Sequence, residues 1–226
     1  MKNISDNIIA LEELGLVAFC IEKVGSTSIK TALLMALGLL KPEDRRPVHA
    51  NPKFNFVFKE DIVTNPDLDK LYKFAIVRNP FGRLVSIYTR HISSSVPTGK
   101  LEQLGFTQGM SFRDFLNKIA DIPRDQLSGD VPITRLFRPQ SDYLVYKDEL
   151  LPNYIGKFET IDKAWLEITN NCGNGKLPST LPVENKSPFK PYPGIYHSDD
   201  LVEIVTEIYE EDFERFDYSK DSYSDY

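Results

Sequence analysis

The stretch Gly15-Leu-Val-Ala-Phe-Cys-Ile21, followed at once by Glu22-Lys23-Val24-Gly25-Ser26-Thr27-Ser28, decides how the rest of the chain is read. A run this apolar suits a strand buried on both faces of a parallel sheet. The small residues after it make a tight turn. Ile29, Ala32, Leu33, Ala36, Leu37 and Leu40 then keep helical spacing, with Gly38 and Pro42 near the stop and Ser26 or Thr27 as the expected cap. Strand, tight turn and helix in this order leave backbone N–H groups at the helix start, where an anion can be held.

The pattern recurs downstream. Tyr72-Lys-Phe-Ala-Ile-Val77 is a second apolar strand that runs into Arg78-Asn79-Pro80, where Asn79 can cap a helix with Pro80 at its first position. In that helix Phe81, Leu84, Val85 and Tyr88 form an inward stripe, and Arg83, Ser86 and Arg90 fall on another face. Phe54 to Phe58 reads as a further strand, reached by the loop Arg45-Arg46-Pro47-Val48-His49. Short strands are expected at Tyr143–Tyr146 and Tyr154–Phe158. Helices are expected at Ser111–Ala120, at Ile161–Thr169 with the only tryptophan, Trp165, and from Asp199 to about Phe213. Ser93 to Gly109 is glycine-punctuated and irregular, and five prolines between Leu177 and Tyr196 make an extended loop. Alternating strands and helices predict a three-layer α/β fold around a mainly parallel sheet, as a single domain over residues 1–218. Residues 219–226 form a polar tail expected to be disordered.

Composition narrows the function. With 226 residues, 41% hydrophobic and 27% charged, the chain can bury one sizeable core. A formal net charge of -6 offers no general basic surface, so nucleic acid is not expected as a partner, and an anionic ligand needs a local cluster of donors. Cys20 and Cys172 do not make a disulfide framework. Met1 to Leu16 lacks the basic start and apolar core of a signal peptide, and no apolar run approaches the roughly 20 residues of a membrane span. A cytoplasmic protein is expected.

Two constellations carry chemistry. In the first, Lys23, Val24, Gly25, Ser26, Thr27 and Ser28 combine a charge, a glycine that lets the backbone approach a phosphate, and three hydroxyls. A Walker A loop places its lysine after the glycines and a hydroxyl on magnesium. Here Lys23 precedes the glycine, so metal-dependent hydrolysis of a nucleoside triphosphate is not what the loop is built for. The order Lys-x-Gly-Ser-Thr-Ser after a first strand resembles the 5′-phosphosulfate loop of sulfotransferases, especially the carbohydrate sulfotransferases. The second constellation, Val77-Arg78-Asn79-Pro80-Phe81-Gly82-Arg83-Leu84-Val85-Ser86-Ile87-Tyr88, resembles the 3′-phosphate motif of the same family. The resemblance touches most of the chain, more weakly between residues 93 and 135. Tyr154–Thr160 resembles the family's Ile-Gly-Arg/Lys-Phe-Glu segment, and Ile208–Tyr218 its C-terminal Tyr-x-x-Asp-Phe-x-x-Phe-x-Tyr signature. Both read as packing signatures, with Glu159 as a helix-start carboxylate.

The resemblance implies a P-loop-like fold and an O-sulfotransferase that uses 3′-phosphoadenosine 5′-phosphosulfate (PAPS). It implies that Arg78 and Ser86 grip the 3′-phosphate and that Lys186 and Ser187 contact the donor from the proline-rich loop. It further implies that Lys23 meets the leaving phosphate and that the acceptor is a hydroxyl on a carbohydrate. With Lys23 neutralising the leaving group and no ligand cluster at metal spacing, no metal is expected. The acceptor proton needs a base. Of the three histidines, His49 is the choice, with Glu60 or Asp61 next; His91 ends the Ser86 helix and His197 is structural. Arg45 and Arg46, beside Glu43 and Asp44, read as solvated surface. Acceptor contacts are expected in residues 93–109 and 121–140. Nothing in the pattern sets an oligomeric state. The alternatives are a catalytically silent PAPS-binding module and a P-loop-type nucleotide kinase.

Overall fold

Ile8-Ile9-Ala10-Leu11 is a short apolar run ahead of Glu12-Glu13, and it pairs back on the first predicted strand because Gly15, at a left-handed φ of 65°, closes the turn between them. The computed structural model describes residues 7–41, 48, 49, 51–129, 132–184 and 194–226. In chain order the elements are β1 (Ile8–Leu11), β2 (Leu16–Phe19), α1 (Ser26–Ala36), β3 (Asn55–Val57), α2 (Lys59–Thr64), α3 (Pro66–Asp69), β4 (Tyr72–Val77) and α4 (Pro80–Tyr88). There follow α5 (Lys100–Gln103), α6 (Phe112–Ala120), α7 (Arg124–Leu127), α8 (Ser141–Leu144), β5 (Val145–Tyr146), β6 (Glu149–Leu150), β7 (Tyr154–Lys157), α9 (Ile161–Asn171), α10 (Asp199–Ile208) and α11 (Glu210–Arg215). They fall into two compact units, one of Met1–Val77 with Tyr143–Lys186, the other of Arg78–Asp142 with Ser187–Tyr226.

The first unit holds a five-stranded sheet in the order β3-β1-β2-β4-β7, flanked by helices. β2, β4 and β7 are parallel and β1 is antiparallel to both of its neighbours, so four of the five strands run one way. The mixed α/β architecture and mainly parallel sheet match the sequence-based expectation. Every residue of β2 is buried, as its unbroken apolar run requires. α9 lays Trp165 into the core, and the indole Nε1 donates to the Pro178 carbonyl at 2.9 Å.

Three local readings differ. β1 escaped prediction because its four apolar residues sit against acidic Glu12 and Glu13. Tyr143–Tyr146 divides between the end of α8 and the two-residue β5. The helix expected over 199–213 breaks at Tyr209 into α10 and α11.

The second unit is organised by aromatic packing. Phe81, Phe112, Phe115, Phe137, Tyr196 and Phe213 bury their rings together, each contributing about 1.5–3 kcal/mol by leaving water. Asn79 caps α4, its Oδ1 accepting from the Phe81 N–H at 3.0 Å with Pro80 at the first position, as expected. Arg83 does not join an exposed polar face. It is 1% exposed and donates to the Leu136 carbonyl at 3.1 Å. After α4 the chain takes a π-helical turn, Thr89–Ser93. The C-terminal tail also differs from the expected disorder. Ser222–Asp225 form a 3-10 turn, Tyr223 meets Phe81 edge-on at 5.9 Å, and Ser222 Oγ accepts from Asn79 Nδ2 at 2.7 Å. Among the described residues no helix is long and apolar enough to cross a membrane.

Candidate functional site

The loop that leaves β2 turns sharply because two of its residues are left-handed. Lys23 has φ 69° and Gly25 has φ 86°. For a lysine that conformation costs roughly 1–2 kcal/mol, and it sits at the residue with the charge. Gly25 is the N-cap of α1 in place of Ser26 or Thr27, which are instead the first two residues of the helix. A glycine cap has no side chain to bond the N–H groups of the first turn, so α1 opens with donors that no capping side chain covers. Ser26 and Ser28 are buried and Thr27 half-buried. Ser28 Oγ accepts from the Glu184 N–H at 3.1 Å, which brings the proline-rich loop to the first turn of α1. Lys186 and Ser187, two and three residues further on, lie outside the described residues, as do Arg45 and Arg46.

His49 is brought to this loop. Its Nε2 stands 3.4 Å from Thr27 Oγ1. A residue that the sequence reading passed over stands behind it: Lys30, one turn into α1, is 2% exposed. Its Nζ donates to Asn7 Oδ1 at 2.8 Å and to the His49 carbonyl at 3.4 Å, and lies 5.8 Å from the Phe56 ring centre. Asn7 in turn donates to the Cys20 carbonyl at the end of β2. The buried cation thus ties the strand end, α1 and the backbone of His49 together. Local spacing gave no signal of this, since a lysine inside a helix reads as surface. Asp61, a fallback base, is engaged at a helix start, where its carboxylate accepts from the Phe58 N–H at 2.9 Å. Burial pushes the Cys20 thiol up to about 11 and the Cys172 thiol up to about 12, so neither is a nucleophile near neutral pH.

In the second unit Arg78 follows β4 directly, is half-buried, and has both backbone groups bonded to one side chain. The Arg78 N–H donates to Gln140 Oε1 at 2.8 Å, and Gln140 Nε2 donates to the Arg78 carbonyl at 2.8 Å. Ser86, two turns into α4, is half-buried. Gln140 also meets Asp212, which burial pushes upward in pKa against the lowering effect of the Ser141 and Gln140 N–H donors and of Arg83. Neither Gln140 nor Asp212 was singled out as a site residue, although Asp212 stands in the C-terminal signature. His91 lies in the π-helical turn, and His197 is exposed with Nδ1 3.2 Å from the Ile195 carbonyl. A cavity of about 680 Å³ in this unit is lined by Arg90, His91, Ser95, Lys100, Thr134 and Leu136 among others, with no Asp or Glu in its described lining. Among the described residues no group of three or more His, Cys, Asp or Glu side chains stands together as a metal-ligand set.

The model of the sulfotransferase family matches residues 6–219, a span that contains both turns, the β7 segment and the C-terminal signature. No curated protein and no solved structure gives a significant match.

Proposed function

We propose that this chain, which belongs to the sulfotransferase family, transfers the sulfuryl group of PAPS to a hydroxyl of a carbohydrate. The observation that carries the reading is the Lys23–Ser28 turn, bent left-handed at Lys23 and Gly25 and opening α1 without a capping side chain, in a chain that the family model matches over residues 6–219. In this reading the α1 N–H groups and the hydroxyls of Ser26, Thr27 and Ser28 take the 5′-phosphosulfate, and Arg78 and Ser86 take the 3′-phosphate. Val24 contributes its backbone, and Lys186 and Ser187 contact the donor from the proline-rich loop. The acceptor oxygen attacks sulfur as the bond from sulfur to the 5′-phosphate oxygen breaks. The electron pair of that bond goes to the phosphate oxygen facing Lys23, and the acceptor's proton goes to His49.

His49 is supported by its approach to Thr27, and by the Lys30 contact that fixes its backbone. A saccharide acceptor is supported by the cavity in the second unit, where Ser95, Lys100, Thr134 and Leu136 come from the segments in which acceptor contacts were expected and Arg90 and His91 join them from outside those segments. With Lys23 in the charge-neutralising role, no metal is required.

Calorimetric titration with 3′-phosphoadenosine 5′-phosphate in chelator, beside ADP and magnesium ATP, tests this. The expected result is binding that depends on the 3′-phosphate, weakened at least about 10-fold by Arg78→Ala. Lys23→Ala is expected to keep donor affinity within a few-fold and to lose turnover by about 10²-fold or more. A preference for magnesium ATP would overturn the reading in favour of a kinase. Donor binding by the intact protein without transfer to any saccharide would leave a silent binding module.

A further inference from the structure

The backbone of Arg78 is held in an unusual way. At the end of β4 its N–H and C=O would ordinarily find partners on a neighbouring strand; here one primary amide serves both, at 2.8 Å each. The amide has a single workable orientation. Its oxygen must face the Arg78 N–H, because its NH₂ has to face two acceptors, the Arg78 carbonyl and Asp212 Oδ2 at 3.2 Å. The main-chain N–H of Gln140 converges on the same Oδ2 at 2.8 Å, and that of Ser141 on Oδ1 at 2.7 Å. Gln140 and Asp212 are both 0% exposed. Asp212 stands on α11, and the same stretch is anchored by Tyr209, whose hydroxyl donates to the Phe137 carbonyl at 2.9 Å.

Burying a carboxylate completely is expensive, and an apolar residue would fill the space at lower cost. A packing signature therefore explains Phe213 and Phe216 but not Asp212. What the carboxylate does is fix Gln140, and what Gln140 does is fix the main chain of Arg78, from which the guanidinium is projected.

We infer that Gln140 and Asp212 are the positioning pair of the 3′-phosphate arginine: the C-terminal signature sets donor specificity through Gln140 rather than only closing the core. This rests on the reading of Arg78 as the 3′-phosphate ligand. The pair touches no substrate atom; it acts by keeping one arginine aligned, where a small displacement loses a charge-assisted bond.

The test measures, on the full chain, dissociation constants for 3′-phosphoadenosine 5′-phosphate and for adenosine 5′-phosphate, and takes their ratio as the 3′-phosphate increment. The ratio cancels general loosening of the fold, which weakens both ligands. Gln140→Met keeps the volume and removes the bonds; it is expected to cut the increment about 10-fold while adenosine 5′-phosphate binding stays within about 2-fold. Should that variant fail to fold, Gln140→Glu carries the test. Ionised, its carboxylate accepts from the Arg78 N–H but offers the carbonyl no donor. Protonated, it offers both, so its increment relative to the unmodified protein should recover as pH falls. A wild-type increment with no loss in Gln140→Met, or a wild-type increment in Gln140→Glu at a pH where titration shows the introduced carboxyl, held protonated beside buried Asp212, to be ionised, overturns the positioning role alone. No increment in the unmodified protein overturns the 3′-phosphate reading and the pair's role with it.

Discussion

Gly25 is where one atom decides whether the turn can exist. Its φ of 86° is open to glycine and costly for any residue with a Cβ, and a Cβ built there would lie 3.2 Å from Ile161 Cδ1 and 3.5 Å from the Phe158 ring. Gly25→Ala should lose about 1–2 kcal/mol in denaturant unfolding and weaken donor binding by more than that loss accounts for. Unchanged stability would mean that the left-handed turn is not adopted. The residues of this turn were legible because small side chains between an apolar strand and a helix have few other uses. Lys30 was not, because a lysine inside a helix reads as surface. Its burial depends on Asn7, 23 residues upstream, and such a partner has no trace in local spacing. Arg83 misled for the same reason: its carbonyl partner, Leu136, is 53 residues away.

At the scale of elements, α9 buries Ala164, Trp165 and Ile168 within the first unit, and Trp165, 1% exposed, is hydrogen-bonded to Pro178. Trp165→Ala is expected to cost about 3–5 kcal/mol, and Trp165→Phe clearly less, since the second leaves only the Pro178 carbonyl without its donor and a smaller gap. Chemical denaturation of both variants checks the order; equal losses would show that the hydrogen bond, not the volume, holds the helix. The strong elements were readable from local signals: β2 and β4 as apolar runs, α4 from Asn79-Pro80, and α6 over Ser111–Ala120, where Ser111 Oγ accepts from the Asp114 N–H at 3.1 Å. The weak ones were not. β1 has four residues, and its pairing with β2 and β3 comes from the sheet, which supplies hydrogen bonds its own composition does not announce.

For the whole molecule the net charge of -6 matters beyond the site. In the proposed function a polyanionic donor meets a protein whose net charge repels it at long range and whose site attracts it only at short range. Raising ionic strength from about 0.01 to 0.1 M should therefore leave the association rate level or raise it, since screening removes the repulsion first. Stopped-flow binding of 3′-phosphoadenosine 5′-phosphate measures this, and a steep fall with salt would point to a long-range positive field that the composition denies. The sequence by itself determined the class of fold and the two turns, since hydrophobic period and the residue order of a turn are local and survive in a linear reading. Only the tertiary structure decided that Lys30 stands behind His49, that Arg83 is buried, and that Asp212 reaches Arg78 through Gln140. Those roles belong to pairs 19, 53, 62 and 72 residues apart, and what makes them is the need of each buried polar group for a partner, which is met in space and not along the chain.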